Sequence, residues 1–183
     1  STSSPIEPRL NAITGVPPVP PLAQLLTRAL GVPVEEVMEL AHDPRFLSGI
    51  LPAANVVSNA RELSALFECL RCGGELNDVR VFEPRTVRRA TGERSYFEID
   101  FTLGLPLRYG LGFMLGGKWL SLFGPDTTHA FGHLGFTNVV AWADPERELS
   151  AALVTSGKPF LDIEVLRLYQ CITAIGREIP KRG

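Results

Sequence analysis

A chain of 183 residues with 45% hydrophobic and 21% charged side chains is long enough to bury a core, and its composition fits one globular domain. Its formal net charge of -2 provides no basic face, which removes the electrostatic case for nucleic-acid binding. No apolar run reaches the length of a membrane span, and the start lacks a basic-then-apolar signal pattern.

Ser1 to Pro21 is rich in Ser and Pro, densest at Pro17 to Pro21, and reads as a linker or a surface-hugging arm. Pro21 to Leu30 is expected to be a short helix with proline in its first turn and Gly31 at its end. Val34 to Ala41 predicts a second helical piece that stops at Asp43-Pro44. His42 beside Asp43 reads as helix-end capping, because adjacent residues do not face each other on a helix. Phe46 to Val57, punctuated by Gly49 and Pro52, reads as a buried apolar connector.

The next helix has the strongest signals. Asn59 with Glu62 three residues later has the form of a capping box. Leu63, Leu66, Phe67 and Leu70 follow at helical spacing, and Gly73-Gly74 closes the element. Cys69 and Cys72 are spaced C-x-x-C, but no second ligand pair accompanies them, so no zinc site is expected. With Cys171 they read as buried free thiols, which favours reducing, cytoplasmic surroundings. No metal and no cofactor is expected.

Asn77-Asp78 reads as a turn, and Pro84 to Ala90 as a short helix whose Arg85, Arg88 and Arg89 form a solvated face. Thr91 to Pro106 is either a strand or an ordered loop, with Glu93, Glu98 and Asp100 as solvated charges. Leu107 to Leu115 is expected to be a strand, turned by Gly116-Gly117 into Trp119 to Phe123. Thr137 to Ala143 and Leu149 to Thr155 then form a hairpin joined by Asp144-Pro145-Glu146-Arg147. Strand starts at Leu107, Trp119, Ala130, Thr137 and Leu149 predict an antiparallel meander. Phe160 to Ile175 recovers helical spacing, with Ile163, Leu166, Tyr169 or Gln170, and Ile175 on one side and Gly176 as its end. The fold class is α+β: helices, then an antiparallel sheet, then a covering helix.

Phe131-Gly132-His133-Leu134-Gly135 sits where a strand would begin, and its glycines suggest close approach of a backbone or ligand. By its local residues His133 is either a strand-end side chain bonded to a loop or an imidazole facing a cleft.

The ordered set Tyr109-Gly110-Leu111-Gly112-Phe113, His133-Leu134-Gly135 and Trp142-Ala143-Asp144-Pro145 resembles the C-terminal part of the serine β-lactamase and penicillin-binding-protein-like superfamily. It is most similar to family VIII carboxylesterases and class C-like β-lactamases, from about Gly49 to about Thr155. Asn59 to Phe67 and Phe82 to Val87 are similar to helical segments of the same family. On this resemblance 22–183 is the C-terminal portion of such a domain, and His133-Leu134-Gly135 takes the place of its Lys-Thr-Gly or His-x-Gly strand motif. The resemblance implies that His133 faces the cleft to orient substrate or support the proton relay. It also implies that Phe136 gives a backbone N–H to the oxyanion hole, and that Gly135, Leu134 and Tyr109 line the substrate position.

The family's nucleophile is missing. No serine has Lys three residues on, Ser156-Gly157-Lys158 has the wrong spacing, and no tyrosine is followed by Asn two later. G-x-S-x-G is absent as well. The implied partner is therefore the N-terminal half of the fold, from the same parent chain or a second one, and this chain alone is expected to be inactive. Leu134 offers no hydroxyl to a β-lactam carboxylate and Phe136 narrows the site, which favours a small acyl ester as substrate. The alternatives are a non-catalytic interaction domain on the same fold or, ranked lower, a β-lactamase or D-alanyl peptidase fragment. Without the helical half, the meander and the Leu63–Leu70 stripe would leave an apolar face in water.

Overall fold

The computed structural model describes residues 31, 36, 43–50, 56–100, 103, 105–135, 139–155 and 163–182. The arm expected over 1–21 and the helix expected over 21–30 lie outside the described residues, as does that over 34–41 apart from Glu36.

Asp43 begins a helix, and the stop expected there concerns 34–42, which lie outside the described residues apart from Glu36. The Asp43 carboxylate accepts the Arg45 N–H and caps α1 (Pro44–Ser48), with Pro44 in the first turn. Among the described residues of the expected buried connector, Ile50, Val56 and Val57 stand exposed. The two apolar clusters among the described residues are filled from other segments.

The capping box forms as its spacing requires. The Asn59 side chain accepts the Glu62 N–H at 3.0 Å, and Glu62 accepts the Asn59 N–H at 3.2 Å. Helix α2 (Ala60–Arg71) ends at Cys72, and Gly73 turns left-handed with φ +68°. Its Leu63, Phe67 and Leu70 pack on the sheet, while Leu66 is 43% exposed, so the buried stripe is narrower than the spacing suggests. The stripe finds its partner within this chain instead of facing water. Cys69 is buried, but Cys72 and Cys171 are exposed, so one thiol of the three belongs to the core.

A tight hairpin follows, β1 (Glu75–Leu76) and β2 (Val79–Arg80), with Asn77 and Asp78 both left-handed, as a two-residue turn of this hand demands. Helix α3 (Pro84–Thr91) turns Val87 inward and Arg85, Arg88 and Arg89 to solvent.

Six strands then run in chain order across one antiparallel sheet: β3 (Ser95–Asp100), β4 (Leu105–Tyr109), β5 (Met114–Leu115), β6 (Phe131–Leu134), β7 (Val140–Asp144) and β8 (Leu149–Leu153). The meander stands, with three boundaries moved. Leu107 to Leu115 is two strands, because Gly112 at φ +80° reverses the chain and Gly110 donates to the Phe113 carbonyl at 2.9 Å. Thr91 to Pro106 contributes β3. Trp119 to Phe123 is a closed loop rather than a strand. Its groups bond within the loop, Phe123 N–H to Ser121 Oγ and Thr127 Oγ1 to the Gly124 carbonyl, which leaves Trp119 82% exposed. Thr137 lies outside the described residues.

Side-chain alternation gives the sheet two faces. Leu115, Phe131, Ala141, Ala143 and Ala152 meet α2 and Val87 of α3 on one of them, called here the near face. Met114, Val140, Trp142, Leu149, Ala151 and Leu153 lie on the far face under α4 (Ile163–Glu178). That helix presents Leu168, Ile172 and Ile175, while Leu166 is 59% exposed, and it runs through Gly176 to Glu178. Its end is fixed by charge. Buried Arg147 bonds Asp144 at 2.7 Å, the Asp126 carbonyl at 3.0 Å and the Gly176 carbonyl at 3.1 Å, while Lys181 bridges Asp126 and Glu146.

Candidate active site

Strand β6 is built differently along its length. Its first half is interior, with Phe131 and Gly132 paired to β5 on one side and β7 on the other. Because β5 is only two residues long, His133 and Leu134 have, among the described residues, a strand neighbour on the β7 side alone. The sheet therefore opens locally at His133. Gly132 is required just before that opening: a Cβ there would come within 2.6 Å of the Trp142 Cβ and 2.7 Å of its Cα, and closer still to the Ala141 carbonyl.

His133 shares the near face with Phe131 and Ala141 and is exposed. Its Nδ1 lies 2.8 Å from the Leu134 carbonyl. A carbonyl only accepts, so Nδ1 carries the proton, and in the neutral ring Nε2 keeps its lone pair. The ring is thus held by one nitrogen and presents an acceptor with the other, the arrangement a general base or an orienting group needs.

The other residues singled out by the sequence divide. Gly135 follows at the strand end, its N–H donating to the Val139 carbonyl at 2.6 Å, and a Cβ there would meet Val139 at 3.2 Å or more. Phe136 lies outside the described residues. Leu134 points to the far face, where it packs in the apolar cluster with Val140 and Ile172 beneath α4. Tyr109 is also on the far face, paired with Met114, and its hydroxyl donates to the Asp100 carboxylate. Burial pushes its phenol well above the ordinary value, and the Asp100 bond adds to the rise. The structure therefore keeps His133 and Gly135 adjacent and sets the side chains of Leu134 and Tyr109 behind the sheet.

Two carboxylates read as solvated are engaged. Asp100 holds Tyr109, and Glu93 pairs with Arg108, whose Nε donates at 2.6 Å. Glu98 is exposed, as expected. The Glu93–Arg108 pair lines a cavity of about 510 Å³ on the near face, together with His129, Phe131 and Glu146. Sequence reasoning missed it because a loop residue and a strand residue 15 positions apart share no local period. Its charges are largely spent internally, Glu146 lying 3.0 Å from Lys181. Among the described residues no cluster of metal-ligating side chains occurs, and no helix is long and apolar enough to cross a membrane.

Comparison with known proteins places these features in context. The family model described as Beta-lactamase matches residues 5–170. The Esterase/beta-lactamase LipL of Mycobacterium tuberculosis is 32% identical over 108 residues, 59% of this chain and 24% of that protein. Among solved structures, a family VIII carboxylesterase aligns with TM-score 0.61 and 23% identity over 73% of this chain and 36% of its own. A penicillin-binding protein homolog from Caulobacter crescentus aligns with TM-score 0.55 and 30% identity over 66% of this chain and 32% of its own. The chain thus spans between a quarter and about a third of the length of these relatives.

Proposed function

The chain belongs to the beta-lactamase family, and from that premise we propose that it is the C-terminal part of a serine hydrolase that cleaves small acyl esters through an acyl-enzyme intermediate. The observation that carries this reading is His133: exposed on the near face, at the local opening of β6, with Nδ1 tied and no partner for Nε2 among the described residues. Acyl transfer needs an activated nucleophile, a base within hydrogen-bond reach and donors for the developing oxyanion. This chain supplies the third. His133 Nε2 orients the substrate or accepts within the proton relay, Gly135 leaves room for the acyl group, and the Phe136 N–H is the oxyanion donor. The Ser-x-x-Lys segment comes from the remainder of the fold, and the 183 residues alone turn over no ester.

Ester chemistry is the class that the names of the relatives share, an esterase/beta-lactamase and a carboxylesterase. Leu134, turned behind the sheet, does not itself separate ester from β-lactam substrates. A second reading, a non-catalytic interaction domain, draws on exposed Trp119, Leu111 and Leu120, which no catalytic role uses.

The test is a fluorophosphonate probe applied to the intact parent gene product, whose mass is measured first. Labelling of a serine upstream of Ser1 is expected, and His133→Ala should lower turnover by about 10²–10⁴-fold. A complete product that stays unlabelled refutes the esterase reading and favours the interaction domain.

A further inference from the structure

Three phenylalanines meet on the near face of the sheet, and they are not equivalent. Phe67 of α2 and Phe131 of β6 are buried, at 6% and 5% exposure, whereas Phe113, just before β5, is half-buried. Its ring stands edge-on to both, with centroids 6.1 Å from Phe67 at 84° and 5.6 Å from Phe131 at 79°. Edge-to-face pairs at these distances attract, so the two buried rings hold the third in place.

The backbone that carries Phe113 is fixed as well. Its carbonyl accepts the Gly110 N–H at 2.9 Å, and Leu111 of the same turn donates to the Ala90 carbonyl of α3 at 2.7 Å. A Cβ on Gly110 would collide with that carbonyl, so the turn sits tight against the helix. Register then decides what Phe113 stands beside. Met114 pairs with Gly132 and Leu115 with Phe131, and one further step sets Phe113 opposite His133. The Gly116 N–H bonds the Ala130 carbonyl at 2.7 Å, which makes Met114–Gly132 a hydrogen-bonded pair. Phe113 and His133 therefore take the closely spaced, non-hydrogen-bonded position that follows. Both belong to the near face.

We infer that Phe113 is a specificity residue, its ring limiting the size of the acyl group that lies beside His133. The inference rests on the serine-hydrolase reading and names what holds its substrates to small esters. The ring fills a place whose other walls are apolar. Cutting it back to Cβ leaves a hollow lined by Phe67 and Phe131 that opens toward His133. A hollow of that kind takes up hydrocarbon rather than water, so an acyl chain too long for the native site gains a place to lie.

The test is kcat/KM for p-nitrophenyl hexanoate divided by that for p-nitrophenyl acetate, measured on the intact parent product. Phe113→Ala should raise this ratio at least about 10-fold, the order that methylenes admitted to an apolar pocket contribute. Val87→Ala is the control. It hollows the same cluster from α3, so it should lower Tm and leave the ratio unchanged. Where the alanine variant does not fold, Phe113→Leu decides: its smaller truncation should raise the ratio at least about 3-fold. A smaller rise in the variant that folds, or a fall, overturns the inference. So does an equal rise in Val87→Ala, which would mean a general loosening of the core. Serine labelling by the fluorophosphonate with an unmoved ratio defeats this inference and spares the hydrolase reading; absence of labelling removes both.

Discussion

Replacing Gly132 with alanine probes the joint between fold and site. The added carbon would lie 2.6 Å from the Trp142 Cβ and 2.7 Å from its Cα. Carbon pairs sit best at about 3.5–4.0 Å, so β6 and β7 must separate by roughly 0.8 Å or more. Trp142 cannot yield: it is 2% exposed, packed against Phe123, and its strand is buried throughout. Overpacking of this kind costs about 1–3 kcal/mol, and a spread ladder on either side puts the loss at the upper end. For a domain of this size, about 3 kcal/mol lowers Tm by roughly 6–12 °C. In the parent product the same shift carries His133 with it, and a displacement near 1 Å costs about 10²-fold in turnover. Gly135→Ala is the control. Its new carbon meets Val139 at 3.2 Å or more, so Tm should move by no more than about 3 °C. Differential scanning calorimetry of both variants decides the matter. A Gly132→Ala protein melting within about 2 °C of wild type would refute the close-approach argument and the placement of His133 that depends on it.

Removing Arg147 leaves buried Asp144 without its ion-pair partner, so Arg147→Met should destabilise by about 3–5 kcal/mol in urea unfolding. Tyr109→Phe takes a donor from Asp100 behind the sheet; stability should fall by about 1–2 kcal/mol while KM in the parent product stays unchanged. Glu68 is held below its ordinary value of 4.5, chiefly by its hydrogen bonds to Arg71. A carboxylate lowered on folding adds stability that is present above its unfolded value and is lost as pH falls through the folded one. Wild type should therefore melt above Glu68→Gln near neutral pH, with the gap closing as the pH is taken below 4.5.

What the sequence displayed were signals that act within a few residues. The Asn59–Glu62 box, the Gly73 stop, the Asn77-Asp78 turn and the meander each follow from local chemistry, and each stands in the structure. The misplaced pieces are those decided by distant partners. Trp119 to Phe123 has strand-forming residues, yet Ser121 and Thr127 bond the segment into a loop. For α4 the helical period was plain but its phase was not, because which stripe turns inward depends on Trp142 and Val140 across the interface. Glu93 and Asp100 were unreadable for the same reason: Arg108 reaches Glu93 in the loop before β3, and Tyr109 reaches Asp100 across a strand pair.

The same period-two rule sorts the H-x-G segment into working and supporting residues. On β6 the near-face positions are Phe131 and His133, the far-face positions Gly132 and Leu134. Gly132 lets β7 come close, Leu134 anchors the strand to α4, and their combined effect is to fix the backbone from which His133 projects. A one-residue slip would bury the imidazole under α4 and expose leucine to the site, so register here is a chemical requirement as well as a packing one. The motif thus needs a small residue before the histidine and an apolar one after it for reasons of support, and on the proposed reading the histidine and Gly135 are left to meet a substrate.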